Sequence, residues 1–252
     1  MMTSLAFVLF ATLAQQQSAC EGLKSLTLSH TTITAAELRP AGAAQPGRGR
    51  GAGTQLPAHC RVAAVLAPSS DSHIEMELWM PVENWNGKFM AVGNGGWAGN
   101  IETGPVGTAL ARGYAAASND TGHNRNDGPD GAFALGHPEK VIDFGYRAMH
   151  EMAVQSKAII QAFYRQGPRL SYYQGCSTGG RQGLSEAQRY PEDFDAIIAG
   201  APVYNQTRLH ASQMSLFVDM LRRPGSILSN PKKTTVANAV LGACDEQDGV
   251  KD

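Results

Sequence analysis

The chain has 252 residues, of which 42% are hydrophobic and 17% are charged, and its formal net charge is −1 at neutral pH. This length and composition predict one large globular domain or two small ones. The near-neutral charge gives no support for a partner that is a nucleic acid or an anionic membrane. No internal run of about 18 apolar residues occurs, so the sequence predicts no internal membrane span.

The first nineteen residues have features of an export signal. Residues 5–14 are apolar, and Gln17 and Ala19 lie in a short polar stretch that ends in a small residue, which suits cleavage before Cys20. A buried N-terminal strand is the alternative, because the signal lacks a positive residue at its start. A lipid anchor on Cys20 is disfavoured, since Gln17 lies where a lipobox has leucine. We predict that residues 1–19 are a signal peptide and that the protein is secreted or periplasmic.

Strand patterns dominate the next part of the chain. Residues 20–42 fit an edge strand or an extended arm, and residues 41–53 are rich in Gly, Ala and Pro, which is typical of a loop. Apolar side chains alternate over residues 74–80. Together with the strand-like residues 60–66, this alternation predicts a β-hairpin at the edge of a sheet.

A glycine-rich loop follows the apolar strand predicted over residues 88–92. It spans residues 93–99, and its glycines expose backbone N–H groups without a side chain in the way. In a hydrolase-type sheet this is the place of the second oxyanion-hole donor, which we assign to Gly95 or Gly96. The alternative is an ordinary loop with turn glycines. Dinucleotide binding is disfavoured because the glycine spacing and the following residues do not fit that motif.

Residues 104–113 predict a helix, and residues 114–118 predict a short buried strand. Asp120 and His123 follow that strand, at an end where α/β proteins often carry their sites. In a hydrolase sheet the catalytic acid and base follow the nucleophile, so we expect these two side chains to order a loop instead. Residues 141–166 predict the longest helix, which ends before a Gly-Pro pair.

The most informative motif is the G-x-S-x-G stretch centred on Ser177. It lies between strand-like residues 170–174 and helix-like residues 181–190, as a nucleophile elbow requires. Gly175 and Gly179 allow the backbone to approach closely around a strained serine. The N-terminus of the helix then presents unpaired N–H groups, including that of Thr178, to a developing oxyanion. A structural tight turn is the alternative.

Residues 196–199 predict another buried strand, and the alternation of strands and helices indicates a mostly parallel sheet with helices on both faces. We therefore predict an α/β-hydrolase-type core over residues 20–202. Residues 203–252 change character and predict two helices, over residues 209–221 and 232–241, which would begin an inserted lid domain. His210 is disfavoured as the catalytic base, since the base normally follows the last core strand.

Three stretches of the chain together resemble the tannase and feruloyl esterase family. They are residues 93–99, residues 175–183 with their continuation over 189–195 and 199–202, and residues 244–252. The similarity runs from about Cys20 to the last residue and covers about the first half of a family member. It implies a serine carboxylesterase that forms an acyl-enzyme on Ser177. The implied substrates are hydroxycinnamoyl or galloyl esters derived from plant polysaccharides or polyphenols.

The resemblance also places the triad Asp and His beyond the C-terminus of this chain. A serine without its base is a weak nucleophile, so we expect the chain to be inactive as it stands. A hypothesis from another class is a non-catalytic, secreted, calcium-stabilised binding protein on a hydrolase scaffold. A downstream Asp and a His preceded by Cys would favour the enzyme.

Carboxylates cluster around a glycine near the last residue, as suits a hard cation with oxygen ligands. The resemblance implies a structural calcium site formed by Asp245, Asp248, the carbonyl of Val250 and Asp252. One further carbonyl would lie beyond the last residue, so the site would be incomplete here. A solvated acidic segment is the alternative.

The four cysteines suggest disulfide bonds if the protein is exported. We predict that Cys20 pairs with Cys60 and joins the N-terminal segment to the first core strand. In the family, the cysteine beside the nucleophile pairs with one beside the catalytic histidine. Cys176 matches the first of these, and Cys244 would pair with a cysteine just past the last residue. Both are therefore expected to be unpaired here.

Overall fold

The computed structural model describes residues 15–43, 55–124, 126, 130–245, 247 and 249. Most of the predicted signal peptide and most of the predicted loop over residues 41–53 lie outside this range. The chain divides into two compact units, Met1–Tyr204 and Asn205–Asp252. Within the described residues, none of the helices is both long enough and apolar enough to cross a membrane.

The first unit is built on a seven-stranded sheet with the order β1-β4-β5-β7-β6-β8-β9. Its strands are β1 (Thr31–Arg39), β4 (His59–Leu66), β5 (Ile74–Pro81), β6 (Lys88–Val92), β7 (Ala115–Asn119), β8 (Leu170–Cys176) and β9 (Ala196–Gly200). Two short strands, β2 (Gly42–Ala43) and β3 (Gln55–Leu56), pair separately. Pairings on the β1 side are antiparallel, and the last three are parallel, so β4, β7, β6, β8 and β9 all run in one direction.

Six of the described helices accompany these strands, four in the first unit and two in the second. The first unit has α1 (Thr103–Ala111), α2 (Pro138–Ile142), α3 (Ala148–Tyr164) and α4 (Thr178–Arg189), with a π-helical turn (Asp143–Arg147) that joins α2 to α3. The second unit has α5 (Gln206–Arg222) and α6 (Asn230–Cys244). The predicted long helix over residues 141–166 is thus one continuous helical segment that widens at the π turn.

Side chains of the central strands enter two separate apolar clusters. Ala115 and Ala117 of β7 belong to the large cluster, which also contains Met152 and Ile160 of α3. Ala116 points to the opposite face and belongs to a smaller cluster with Val106 of α1. Because successive strand residues face opposite sides of a sheet, helices cover both faces. This mostly parallel sheet between two helical layers is the predicted α/β class.

The predicted hairpin is present as β4 and β5, but its predicted position at the sheet edge was wrong. Ile74, Met76, Leu78 and Met80, the alternating side chains of β5, are at most 1% exposed. The strand β1 pairs with the outer side of β4, and β5 pairs with β7 on its other side. The arm predicted over residues 20–42 therefore supplies the edge strand. The residues of the hairpin show which of its faces is buried, but they do not show which distant strands pair with its two sides.

The prediction of a buried strand over residues 196–199 was also wrong. In the described part of the chain β9 pairs only with β8, so it occupies the other edge of the sheet. A Cβ atom on Gly183 of α4 would lie 3.0 Å from Ile197, which places Ile197 under that helix. Ile198 faces the opposite side and is 68% exposed. Among the residues described, only one face of β9 is covered by a helix, whereas the apolar run predicted that both faces would be covered.

Cys20 and Cys60 form a disulfide bond, as predicted. Both side chains are fully buried, and the bond joins the N-terminal segment to β4 across 40 residues of sequence. Cys176 and Cys244 are exposed and carry free thiols, which is also the predicted state.

Candidate active site

Ser177 is the single residue between the end of β8 and the start of α4. Its backbone has φ 61° and ψ −117°, a region that side chains other than glycine rarely adopt. Such a conformation costs about 1–3 kcal/mol and persists only where the surroundings impose it. Here the Ser177 N–H donates to the carbonyl of Gly200 at 3.0 Å, and Arg181 N–H donates to the Ser177 carbonyl at 3.0 Å. The side chain is exposed at the end of the parallel strands.

The glycines around Ser177 are required by close backbone contacts. A Cβ atom on Gly175 would lie 2.6 Å from the Gly179 carbonyl carbon, and one on Gly180 would lie 2.3 Å from the Gly200 oxygen. Real Cβ atoms do not approach backbone this closely, so any side chain would separate α4 from β8 and β9. The motif is thus explained by packing at the elbow.

The structure brings the glycine-rich loop against the beginning of α4. The Thr178 hydroxyl donates to the Gly96 carbonyl at 2.5 Å, and Gly179 N–H donates to the Asn94 carbonyl at 2.7 Å. Gly95 and Gly96 are both exposed, and Thr178 is buried. The residues predicted to form the oxyanion hole therefore lie at the same end of the sheet as Ser177. This is the end where the parallel neighbours β6 and β8 both finish.

Asp120 orders the loop that follows β7, as predicted. Its Oδ1 accepts hydrogen bonds from the N–H groups of Glu75 at 3.0 Å and Gly122 at 2.8 Å. Burial raises the pKa of Asp120 to about 7, against those two hydrogen bonds. His123 is also buried and stacks on Phe133 with ring centroids 3.6 Å apart.

The two histidines that flank Ser177 in the sequence each lie beside another polar side chain. His150 Nδ1 is 2.7 Å from Asp193 Oδ2. His210, the only histidine after Ser177, lies on α5 of the second unit, where its Nδ1 is 3.1 Å from Gln213 Oε1. Of the predicted calcium ligands, Asp245 follows α6 as its C-cap, whereas Asp248, Val250 and Asp252 lie outside the described residues.

Comparison with known proteins gives the same family as the motifs. The family described as Tannase and feruloyl esterase matches residues 60–252. An uncharacterized esterase of Xanthomonas campestris pv. campestris is 40% identical over 245 residues, which are 96% of this chain. The chain belongs to the tannase and feruloyl esterase family.

Other members of this family agree in sequence and in structure. A probable feruloyl esterase B-2 of Aspergillus terreus is 40% identical over 195 residues, or 77% of this chain. The crystal structure of feruloyl esterase B from Aspergillus oryzae superposes with a TM-score of 0.79 over 94% of this chain, at 34% identity. The chain spans 42% and 36% of the two relatives and 47% of the crystallised enzyme, so it corresponds to less than half of their length.

Sequence reasoning missed a buried amide pair that joins the glycine-rich loop to α4 in this tannase and feruloyl esterase family member. Gln182 Oε1 accepts from Asn94 N–H at 3.0 Å, and Gln182 Nε2 donates to Asn94 Oδ1 at 3.1 Å. Asn94 Nδ2 also donates to the Asn119 carbonyl at 2.7 Å, and both amide side chains are 2% exposed. Both residues lie inside the stretches that carry the family resemblance, which is the signal that could have revealed them.

Arg181 is a second residue that the sequence did not single out. Its Nη1 donates to the Gly145 carbonyl at 2.8 Å, and its Nη2 donates to the Phe144 carbonyl at 3.0 Å. The guanidinium carbon also lies 4.8 Å from the centre of the Phe144 ring, which in turn stacks on Trp97. Arg181 therefore ties the first turn of α4 to the π-helical turn and to the aromatic side chain of the glycine-rich loop.

We expect Gly180→Ala to destabilise this family member by about 2–3 kcal/mol, because the added methyl group meets backbone atoms that cannot rotate away. Urea unfolding measures the change. Gly145→Ala is the matched control, since a Cβ atom there meets nothing within 4 Å. Equal stability of the two variants would contradict the close packing of α4 on β9.

Proposed function

We propose that this chain is the nucleophile-bearing part of a secreted serine carboxylesterase that cleaves aromatic esters, with hydroxycinnamoyl or galloyl acids as the acyl group. The observation that carries the proposal is the strained Ser177 at the N-terminus of α4, held against the glycine-rich loop. The names of the relatives support the substrate class, since several are feruloyl esterases. The alcohol component would derive from plant polysaccharides or polyphenols.

The reaction follows from the positions of these groups. The Ser177 hydroxyl attacks the ester carbonyl, and its proton passes to a histidine base. The oxyanion that forms is bound by the N–H of Thr178, which begins α4, and by an N–H of Gly95 or Gly96. Collapse of this intermediate breaks the bond to the alcohol, which leaves with the proton from the histidine. Water then attacks the acyl-enzyme in the same way and releases the acid.

The histidine and its orienting aspartate would come from residues other than those described, after Ser177 in the order usual for α/β-hydrolases. The 252-residue chain by itself should then hydrolyse esters slowly at most, as a serine without a base does. A fusion of this chain to the C-terminal part of the Xanthomonas relative, from the residue after its matched region, would supply both groups.

The fusion tests the proposal with three substrates. Methyl ferulate and methyl gallate represent the two proposed acyl groups, and a terephthalate monoester is an aromatic ester with a different acyl group. We expect hydrolysis of at least one of them by the fusion and little or none by the chain alone. A correctly folded fusion that hydrolyses none of the three would refute the esterase proposal. Rapid hydrolysis by the chain alone would refute the proposal that the base lies elsewhere.

We also propose export from the cell. The support is the apolar N-terminal stretch before Cys20 and the buried disulfide between Cys20 and Cys60, because such bonds persist in oxidising compartments. Expression with the native N-terminus should give secreted or periplasmic protein that begins at Cys20. An intracellular product that begins at Met1 would contradict this assignment.

A structural calcium ion in the second unit is a further part of the proposal. Asp245, Asp248, the Val250 carbonyl and Asp252 would bind it, and oxygen ligands of this kind suit calcium. Asp245 lies directly after α6, so its carboxylate is attached to an ordered helix end. Calorimetry should show weak or no calcium binding by the chain alone and micromolar or tighter binding by the fusion. A fusion that binds no calcium would exclude the site.

A further inference from the structure

Three polar side chains, one of them from α4, lie close together on one side of that helix. Glu186 comes from α4, His150 comes from α3, and Asp193 comes from the loop between α4 and β9. One nitrogen or carboxylate oxygen of each lies within 4.8 Å of those of the other two. Glu186 is fully buried, and Asp193 is 4% exposed. The cluster lies on the same helix as the elbow but is separate from the residues proposed for catalysis.

Hydrogen bonds are distributed unequally within this cluster. Asp193 Oδ2 is 2.7 Å from His150 Nδ1, and Asp193 Oδ1 is 3.8 Å from Lys157 Nζ. The two oxygens of Glu186 accept no hydrogen bond from any residue that the structure describes. A buried carboxylate without donors is costly by several kcal/mol, and a carboxyl group in that position normally retains its proton. A protonated Glu186 has a donor to offer, and Asp193 is the acceptor beside it.

We propose that Glu186 is a neutral carboxylic acid that donates its proton to Asp193, and that this hydrogen bond, together with the contact between Asp193 and His150, links α4 to α3. Ser177 precedes the first residue of the same helix, so a bond that fixes the helix also fixes Ser177. Glu186 is in this sense a positioning residue for Ser177, a role that rests on the proposed function. Asp193 is well placed as the acceptor, because its own N–H donates to the Tyr190 carbonyl at 2.9 Å and the neighbouring Asp195 accepts from Ser171 N–H at 2.7 Å. The loop is thereby fixed to both α4 and β8.

The charged and titratable groups around Glu186 favour its neutral form. Burial raises the pKa of Glu186 to about 8, and the negative charge of the nearby Asp193 acts in the same direction. Glu192 also raises this pKa, whereas Lys157 lowers it. Tyr173 of β8 and Tyr190, the C-cap of α4, also interact electrostatically with Glu186, and His150 of α3 contacts Asp193. Burial raises the pKa of the Tyr173 phenol, which therefore stays neutral.

The sign of the pH dependence follows from this proton. Above pH 4.5 the unfolded chain has an ionised Glu186, while the folded chain keeps the proton up to about pH 8. Folding therefore takes up a proton in that window, and the contribution of Glu186 to stability falls as the pH rises from about 5 to about 8. Above that range both states are ionised and the contribution is constant.

Glu186→Gln tests the proposal, because glutamine keeps the shape and the donor but has no proton to lose. The thermal midpoint of the variant minus that of the wild type should rise by roughly 5 °C or more between pH 5 and pH 8, and then level off. All other titrations are shared by the two proteins and cancel in this difference. Glu83→Gln, at an exposed residue that follows β5 and is not among the groups that shift the pKa of Glu186, is the matched control and should give a difference that stays flat.

A difference that is flat for Glu186→Gln as well would overturn the proposal. Glu186→Ala provides a second test at pH 5, where it removes the donor and should lower the midpoint, whereas glutamine should preserve it. Infrared difference spectra at pH 6.5 should contain the carbonyl band of a protonated acid, absent in Glu186→Gln. If Zn²⁺ instead raises the midpoint of the wild type and not of Glu186→Gln, the cluster is a metal site and the shared proton is excluded.

In the fusion, the positioning role predicts that Glu186→Gln keeps kcat, while Glu186→Ala lowers kcat more than it raises KM. Loss of kcat in the glutamine variant would contradict that role. The unfolding and infrared measurements do not depend on hydrolysis. An inactive fusion would therefore count against the proposed function. The unfolding and infrared measurements alone would still decide whether Glu186 is protonated.

Discussion

Replacing Ser177 with alanine should lower kcat for aromatic ester hydrolysis by the fusion about 10⁵-fold or more. The reason is the loss of the proposed nucleophile, since the oxyanion donors alone provide a small part of the acceleration. Initial rates with methyl ferulate measure the effect, with KM determined separately. Binding of the substrate should change little, because the serine hydroxyl contributes mainly to the transition state.

Ser185→Ala is the control for this experiment, because it makes the same chemical change on the same helix, outside the elbow. We expect it to keep kcat close to that of the unmodified fusion. A Ser177→Ala variant that is folded and hydrolyses methyl ferulate at a similar rate would eliminate the acyl-enzyme mechanism. A residual rate that matches the uncatalysed background would agree with it.

Replacing both Cys20 and Cys60 with alanine should lower the free energy of unfolding by roughly 4 kcal/mol. The bond closes a loop of 40 residues between the N-terminal segment and β4, and its loss increases the conformational entropy of the unfolded chain. For a chain of this length such a loss lowers the thermal midpoint by roughly 8–16 °C. Alanine at both positions avoids the cost of a buried polar hydroxyl.

Two comparisons separate the disulfide from other effects of the substitutions. Cys176→Ala removes an exposed free thiol and should leave the midpoint unchanged. Reduction of the wild type should lower its midpoint to near that of the double variant. If the double variant is as stable as the wild type, the N-terminal segment contributes little to the first unit and the loop-closure argument fails.

The elbow could be predicted from the sequence because its constraints are local. The G-x-S-x-G spacing, the strand before it and the helix after it specify the turn at Ser177, and the contacts of Gly175 and Gly180 explain the glycines. The buried alternation of β5 is local in the same sense. Both patterns are visible within a window of about ten consecutive residues.

The remaining features depend on pairings between distant segments. The position of β1 outside β4, and of β9 at the opposite edge, follows from strand order, which a local pattern does not contain. The amide pair of Asn94 and Gln182 joins residues 88 positions apart. The sequence did not single out Glu186, and its proposed neutral state depends on Asp193 and His150, which the fold brings close to it.

The hydrogen bond from Ser177 N–H to the Gly200 carbonyl connects the nucleophile to the edge strand β9. The amide hydrogen of Ser177 can exchange with solvent only when this contact opens, so its exchange rate reports detachment of that strand from the sheet. Each such opening also releases the positive φ angle at Ser177. We therefore expect fraying of β9 at the edge of the sheet to limit the lifetime of the Ser177 geometry, and a molecule that covers β9 to prolong it.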